Sequence, residues 1–341
     1  MDYINLERKI KAMNELIMRH DPGKMPWGLY DGKLGLCIYF FHLARQTGQE
    51  EYKKYAENLL ENCVAEINSH LGADIENGLS GFALTLGYLT ERQFISGDVN
   101  RSLSEIDSII FRELNFKWLE NPNQSGASYI PLLFYLADRI RRLDNNRLNR
   151  EIFQDLAVHI VNKLYHELDI YSPSAHFSLE STIPLYLICL GELYKLGFFN
   201  YKLKKVFDKL SPVILSMRPQ NQSLRLYLCM AINRVNGQIE IPGWKEHADM
   251  LFGQIDHHSA INEEFRSGDI GILKGMTGYA LLLSWADKHY KGLNILSSNK
   301  EQIIDRIDHS ILWENNSQNG CNLGLMNGFA GMALVYYSFL K

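Results

Sequence analysis

Several things are scarce in this chain, and each absence excludes something. There is no basic excess: 35 Lys and Arg stand against 39 Asp and Glu, for a net charge of −4. No lysine–arginine stripe runs along it, so nucleic acid is not an expected partner. The short cluster Arg139, Arg141 and Arg142 reads as one solvated helix end. No apolar run approaches the ~18 residues that a spanning helix needs. The N-terminal stretch "MDYINLERKIKAMNELIMRH" has charges at helical spacing and no continuous apolar segment, which makes it a poor secretory signal. The expectation is a soluble, cytoplasmic protein with no membrane span. Cysteine is sparse too: Cys37, Cys63, Cys189, Cys229 and Cys321, an odd count with no Cys-x-x-Cys pair. That points away from a disulfide framework and from a finger-type zinc site. Cys321 alone sits in a loop-like context; the others lie in helical runs, where they are expected to be small core residues. Strand signals are scarce.

What is present is a repeat. Four stretches align: "LYDGKLGLCIYFFHLAR" from Leu29, "IENGLSGFALTLGYLTER" from Ile75, "ILKGMTGYALLLSWADK" from Ile272 and "LMNGFAGMALVYYSFL" from Leu325. Each carries Gly-x-x-Gly and then an apolar helical run. The first two glycine pairs, starting at Gly32 and Gly78, are 46 residues apart; the last two, starting at Gly275 and Gly328, are 53 apart. A helix pair with its loops occupies about that length. Three weaker copies fill the gap, starting at Gln124, Ser178 and Asn221, which makes seven units. Between copies lie more polar segments with apolar residues at i, i+3, i+4 and i+7, the pattern of outer helices.

Two layers of helix pairs can stack as an open solenoid or close into a ring. An open solenoid needs polar end caps. The last unit is apolar almost to Lys341, so it is expected to pack on the first. The fold expected is all-α: an α/α toroid of seven helix hairpins, with inner and outer rings, forming a single domain over residues 1–341. The glycines are expected to permit positive φ and close backbone approach where each loop enters an inner helix. All inner-helix N-termini would then face one rim, where their partial positive charge favours an anionic or polar ligand.

Seven helix pairs, several gated by Gly-x-x-Gly, resemble the lanthionine synthetase C-like (LanC-like) family of α,α-barrels. The likeness spans nearly the whole chain and is strongest in units one, two, six and seven. The resemblance implies a zinc ion at the barrel mouth that activates a peptide cysteine for addition to a dehydrated serine or threonine. It also implies zinc ligands from a cysteine loop in unit five and a Cys-His-Gly loop in unit six, with a His-Gly in unit four assisting protonation. This sequence departs at each point. Leu273 and Lys274 stand where Cys-His is expected, Asn221 falls at or near the unit-five ligand, and Ser181 and Thr182 replace His-Gly. Leucine cannot ligate, and a protonated lysine opposes a dication. No cofactor is therefore expected, although zinc is the family's.

Candidate ligand-binding residues are Lys274, His176, Ser181, Asn221, Cys321 and Tyr279. Lys274 suggests an anion-binding mouth. Candidate catalytic carboxylates near the gates are Asp31, Glu76, Glu180 and Asp269; paired carboxylates serve carbohydrate-active barrels, while the plainer reading has them capping helices. His257, His258, Glu263 and Glu264 read as solvated helix-end residues. Trp27, Tyr30, Tyr129, Phe177 and Tyr186 could line a groove, but most are expected in the core. Three readings follow. The first is a LanC-like peptide-binding or scaffold component of a peptide-modification system, with a peptide substrate or precursor and a partner modification enzyme. The second is a glycoside hydrolase or lyase. The third is a cyclase whose zinc site has moved to Cys321 and His176.

Overall fold

Two kinds of helix alternate along the chain. The structure, a computed structural model, describes residues 3–68, 71–115, 126–143, 147–167, 175–265, 269–313 and 323–341. Its fourteen main helices are α1 (Tyr3–Met18), α2 (Lys33–Thr47), α3 (Glu50–Ala65), α4 (Leu79–Glu91), α5 (Ser104–Glu113), α6 (Leu132–Arg142), α7 (Arg147–Glu167), α8 (Thr182–Lys195), α9 (Asn200–Ser216), α10 (Gln222–Asn236), α11 (Trp244–Gly253), α12 (Met276–His289), α13 (Ile295–Asp308) and α14 (Phe329–Val335). Odd-numbered helices form the outer layer and even-numbered ones the inner layer. No strand occurs among the described residues.

The two layers differ in composition, and the composition explains their places. In α3 only Tyr52, Ala56, Leu59 and Cys63 are buried. Those positions recur at i, i+4, i+7 and i+11, one stripe of a helix that is wet on its other face. Glu50 and Glu51 begin it, where a negative charge complements the helix dipole. In α2, by contrast, ten of fifteen residues are buried. It ends at Gly48, whose φ of 72° supplies the left-handed stop.

The inner helices touch in chain order from α2 to α14, and α14 returns to α2. Tyr39 of α2 meets Phe329 of α14 edge-on, with ring centroids 5.7 Å apart. Phe329 and Met332 are fully buried in that seam. Burying each such side chain is worth about 1.5–3 kcal/mol, so the apolar C-terminal helix closes the ring as its sequence requires. The outer layer closes too. Lys9 of α1 reaches Asp308 of α13 at 2.8 Å, and Asn5 bonds the same carboxylate at 3.0 Å. The fold is an α/α toroid.

One expectation about a helix end is corrected. Arg139 is no solvated helix end: it is 1% exposed and grips Asp107 of α5 through Nε and Nη2, the shortest contact being 2.7 Å. The Tyr135 hydroxyl donates to the same carboxylate at 2.9 Å, and Arg139 Nη1 donates to Asn100 at 3.0 Å. The buried pair is thereby fully engaged, which is the condition for tolerating charge in a core. Arg141 and Arg142 do lie at the helix end. Cys37, Cys63, Cys189 and Cys229 are buried free thiols. Burial pushes each of them up, Cys63 to about 12, so none is a ready thiolate.

Candidate functional site: the gate end of the ring

The loops that lead into the inner helices form a collar. Main-chain bonds link them in sequence. Leu179 N–H donates to Leu273 O at 2.8 Å, Leu273 N–H to Met326 O at 2.8 Å, and Met326 N–H to Tyr30 O at 3.0 Å. Leu29 N–H then donates to Glu76 O at 2.8 Å. The collar thus runs through units four, six, seven, one and two, and bypasses unit five.

The second glycine of each strong gate makes the collar possible. A Cβ on Gly278 would lie 2.0 Å from Ile272 O, and one on Gly331 would lie 1.8 Å from Leu325 O. In each case the carbonyl belongs to the residue six earlier, so the loop folds flat onto its own helix. The bare glycine also receives an apolar side chain from the preceding loop of the collar: Ile272 over Gly331, Leu325 over Gly35, Leu29 over Gly81. The expected positive φ is not there. Gly32, Gly78, Gly275 and Gly328 have φ between −137° and −109°, ordinary extended backbone. Close approach alone demands glycine.

The charges at this end are mostly negative. Asp31, Asp74, Glu76 and Glu180 come from units one, two and four. The Tyr30 hydroxyl reaches across to Glu180 at 2.8 Å, between residues 150 apart in sequence. Burial, then Glu180, push the Tyr30 hydroxyl well above its ordinary value. Burial also raises the Glu76 carboxyl, followed by repulsion from Asp74, Glu180 and Asp31. Asp31 accepts from Asn327 at 3.0 Å, and Asp269 accepts from its own loop at Gly271 N, also 3.0 Å. None of these acids caps a gate helix: Gly32, Gly78, Ser181 and Gly275 hold those positions, without side-chain caps. The capping reading is replaced by contacts between loops.

The other expected site residues are dispersed. Lys274 is exposed at the collar and makes no hydrogen bond or ion pair among the described residues. His176 is exposed. Ser181 is 5% exposed, its hydroxyl unpaired, at the start of α8. Asn221 begins α10. Cys321 lies outside the described residues. Tyr279 is corrected from ligand site to core: it is fully buried and bonds His257 Nδ1 at 2.6 Å. His257 is accordingly half-buried, not solvated, and its imidazole is pushed down first by burial. Of the aromatics, Tyr129, Phe177 and Tyr186 are core, while Trp27 and Tyr30 are partly buried.

Glu264, expected to be a solvated helix-end residue, is corrected to a partner of another helix. Its carboxylate accepts from Gln222 N–H, from the Ser223 hydroxyl and from Ser223 N–H (3.1 Å for the last). It fills the N-terminus of α10 with the protein's own anion. Nothing in "INEEF" signals this, because the loop's return is a tertiary fact. Asp74 was missed by sequence reasoning, although it lies four residues before Gly78.

The zinc positions implied by the resemblance can now be tested against the donors present. Leu273 is 5% exposed and offers only its backbone, already spent in the collar. Lys274 points a cation into solvent, and Glu264 covers the unit-five helix start. Among the described residues no group of three or more His, Cys, Asp or Glu is placed to hold a metal ion. These residues do not fit the family's zinc.

A sequence model described as Lanthionine synthetase C-like protein matches residues 23–167. Over those residues the chain is similar to the LanC-like family. Residues 23–167 hold the first two strong gates and the helices α2 to α7. The later units continue the same ring and repeat its gate geometry. No curated protein matches the chain. No described helix is long and apolar enough to cross a membrane.

Proposed function

We propose that this LanC-like protein is a peptide-binding or scaffold component of a peptide-modification system, working without the family's zinc chemistry. A precursor peptide would dock at the gate end, with a partner enzyme supplying the covalent step. The observation that supports this most directly is the acidic collar around Tyr30. Burial, then Asp74, Glu180 and Asp31, raise the Glu76 carboxyl, whereas Lys274 is the collar's one exposed lysine among the described residues. The charge balance therefore favours a cationic peptide segment over the anionic one that Lys274 alone suggests.

The test is fluorescence anisotropy with two labelled peptides, one lysine-rich and one glutamate-rich, at low and moderate salt. The lysine-rich peptide should bind, weaken roughly tenfold in E180Q, and weaken further with salt. K274A should leave it unchanged. Binding of the glutamate-rich peptide, lost in K274A, would reverse the sign; binding of neither would end the peptide reading. Elemental analysis of the purified protein supplies the zinc arm: one tightly bound zinc per chain would refute the metal-free reading. The carbohydrate-active alternative has one observation in its favour, the raised Glu76 carboxyl, which suits a general acid. Asp31, Glu180 and Asp269 each already have a partner, which weighs against a second free carboxylate.

A further inference from the structure

A cavity of about 290 Å³ lies inside the ring, beneath the collar. Leu29 and Leu325 close it at the gate end, while Ile38, Leu84 and Tyr88 line its wall. The polar groups of that wall are already engaged. The Thr85 hydroxyl donates to Gly81 O at 2.8 Å, and the Tyr88 hydroxyl pairs with His42 Nε2 at 2.6 Å. The wall thus offers hydrocarbon surface, and a cavity of this kind takes up apolar groups rather than water.

The opposite end of the cavity is charged. Glu91, Asp138, Arg141 and Arg142 surround it. This end reaches the surface, since the Arg141 and Glu91 side chains are 56% and 50% exposed. Arg142 binds Glu91 and Asp138 at 2.7 Å each. Arg92 lies 5.6 Å from the Tyr88 ring, and Arg45, stacked on Phe94, donates to Arg92 O. At the opening itself Arg141 and Arg142 balance Glu91 and Asp138, with Arg45 and Arg92 as further cations on the same end of the ring. Arg141 also has unused donors. Both its bonds, 3.1 Å to Glu91 and 2.7 Å to Asp138, leave from Nη2. Its Nε and Nη1 are without partners among the described residues, so each can still donate a charge-assisted hydrogen bond to a carboxylate oxygen.

We propose that this cavity binds a medium-length single-chain carboxylic acid, with its hydrocarbon against Ile38, Leu84 and Leu325 and its carboxylate at Arg141. The site is separate from the gate end and does not depend on the peptide reading.

Titration calorimetry with decanoate, decanol and decyltrimethylammonium tests it. Decanoate should bind once per chain, decanol roughly tenfold more weakly, and the ammonium more weakly still. L84W fills the cavity and should remove decanoate binding. R141Q should bring decanoate down to the level of decanol without changing decanol. E180Q, at the other end, should change neither. If L84W does not fold by circular dichroism, I38F provides the same reading from the facing wall. Absence of decanoate binding below its micellar concentration, or unchanged binding in the filled variant, overturns the site. Equal affinity for decanoate and decanol overturns the carboxylate recognition.

Discussion

The two ends of the ring are built from the same helices and carry opposite charge. At the gate end the inner helices begin, and Asp31, Asp74, Glu76 and Glu180 gather there. At the far end they finish, and Arg45, Arg92, Arg141, Arg142 and Arg234 gather instead. Each set opposes the partial charge of the helix termini beside it. The ends also differ in how they are held. Main-chain bonds and bare glycines lock the gate end, whereas the far end is held by side-chain ion pairs, among them Arg142–Glu91 and Arg234–Glu192. Backbone close approach tolerates no added atom, while flexible charged side chains can move aside. Rigid geometry and adaptable geometry thus sit some three turns of helix apart.

The sharpest way to break this comparison is the same substitution at each end. In G331A the new methyl meets Leu325 O at 1.8 Å and Ile272 Cδ1 at 2.8 Å. Helix propensity returns about 1 kcal/mol, but overpacking against backbone costs about 3 kcal/mol or more. A net loss of roughly 2–3 kcal/mol is expected, read from urea melts. In G87A the methyl meets Arg142 Nε at 2.8 Å and Asp138 Oδ2 at 3.0 Å, both side-chain atoms. Those can shift, so the change should fall within about 1 kcal/mol of neutral. Equal losses at both ends would show that the gate glycines are not held by close approach.

Much of this was legible in the sequence, for a definite reason. A glycine pair at fixed spacing followed by an apolar run is a local pattern, and it located four gates and the order of the units. The apolar "GFAGMALVYYSFL" foretold ring closure, because such a helix has to be buried somewhere. Composition could not tell which property of glycine is used: positive φ and close approach select the same residue, and only the backbone angles at Gly32 and Gly275 decide. Contacts that cross the ring were likewise beyond pattern. Tyr30 and Glu180 meet over 150 residues, and Glu264 returns to cap a helix 42 residues earlier at Gln222. Tyr279 was misplaced because a tyrosine at a gate looks the same whether it faces the mouth or, as here, His257.

Acid probes the far end. His42, bonded to Tyr88, is lowered to about 4, first by burial and then by Arg45 and Arg92. A base with a depressed pKa stays neutral in the fold while the unfolded chain takes up its proton. Stability is therefore full above the ordinary histidine value of 6.5, falls as pH drops from there, and levels off below about 4. His247 and His257 are also lowered and act in the same direction. H42Q keeps a hydrogen-bonding group for Tyr88 and removes one titrating site. Its melting temperature should fall less than the wild type's between pH 7 and pH 4.5, by on the order of 2 °C. Parallel curves would mean that His42 is solvated enough to protonate in place.

The gate end should respond with the opposite sign and more weakly. The Glu76 carboxyl is raised in the fold, by burial and by its acidic neighbours. A carboxyl with a raised pKa contributes stability below its unfolded value, and that contribution is lost as pH rises through the folded one. At pH 7 its charge is thus a cost, and E76Q should raise the melting temperature by on the order of 1 °C. The gain should vanish near pH 4 and shrink with added salt, since Glu76 is exposed and its repulsions are screened. E91Q at the far end is the matched control. It takes a partner from both Arg141 and Arg142, so the same chemical change should lower stability there, by at most about 1 kcal/mol. If E76Q and E91Q both destabilise, the gate carboxylates are held by partners rather than by mutual repulsion. The acidic collar would then be a structural clasp and not a surface waiting for a cation.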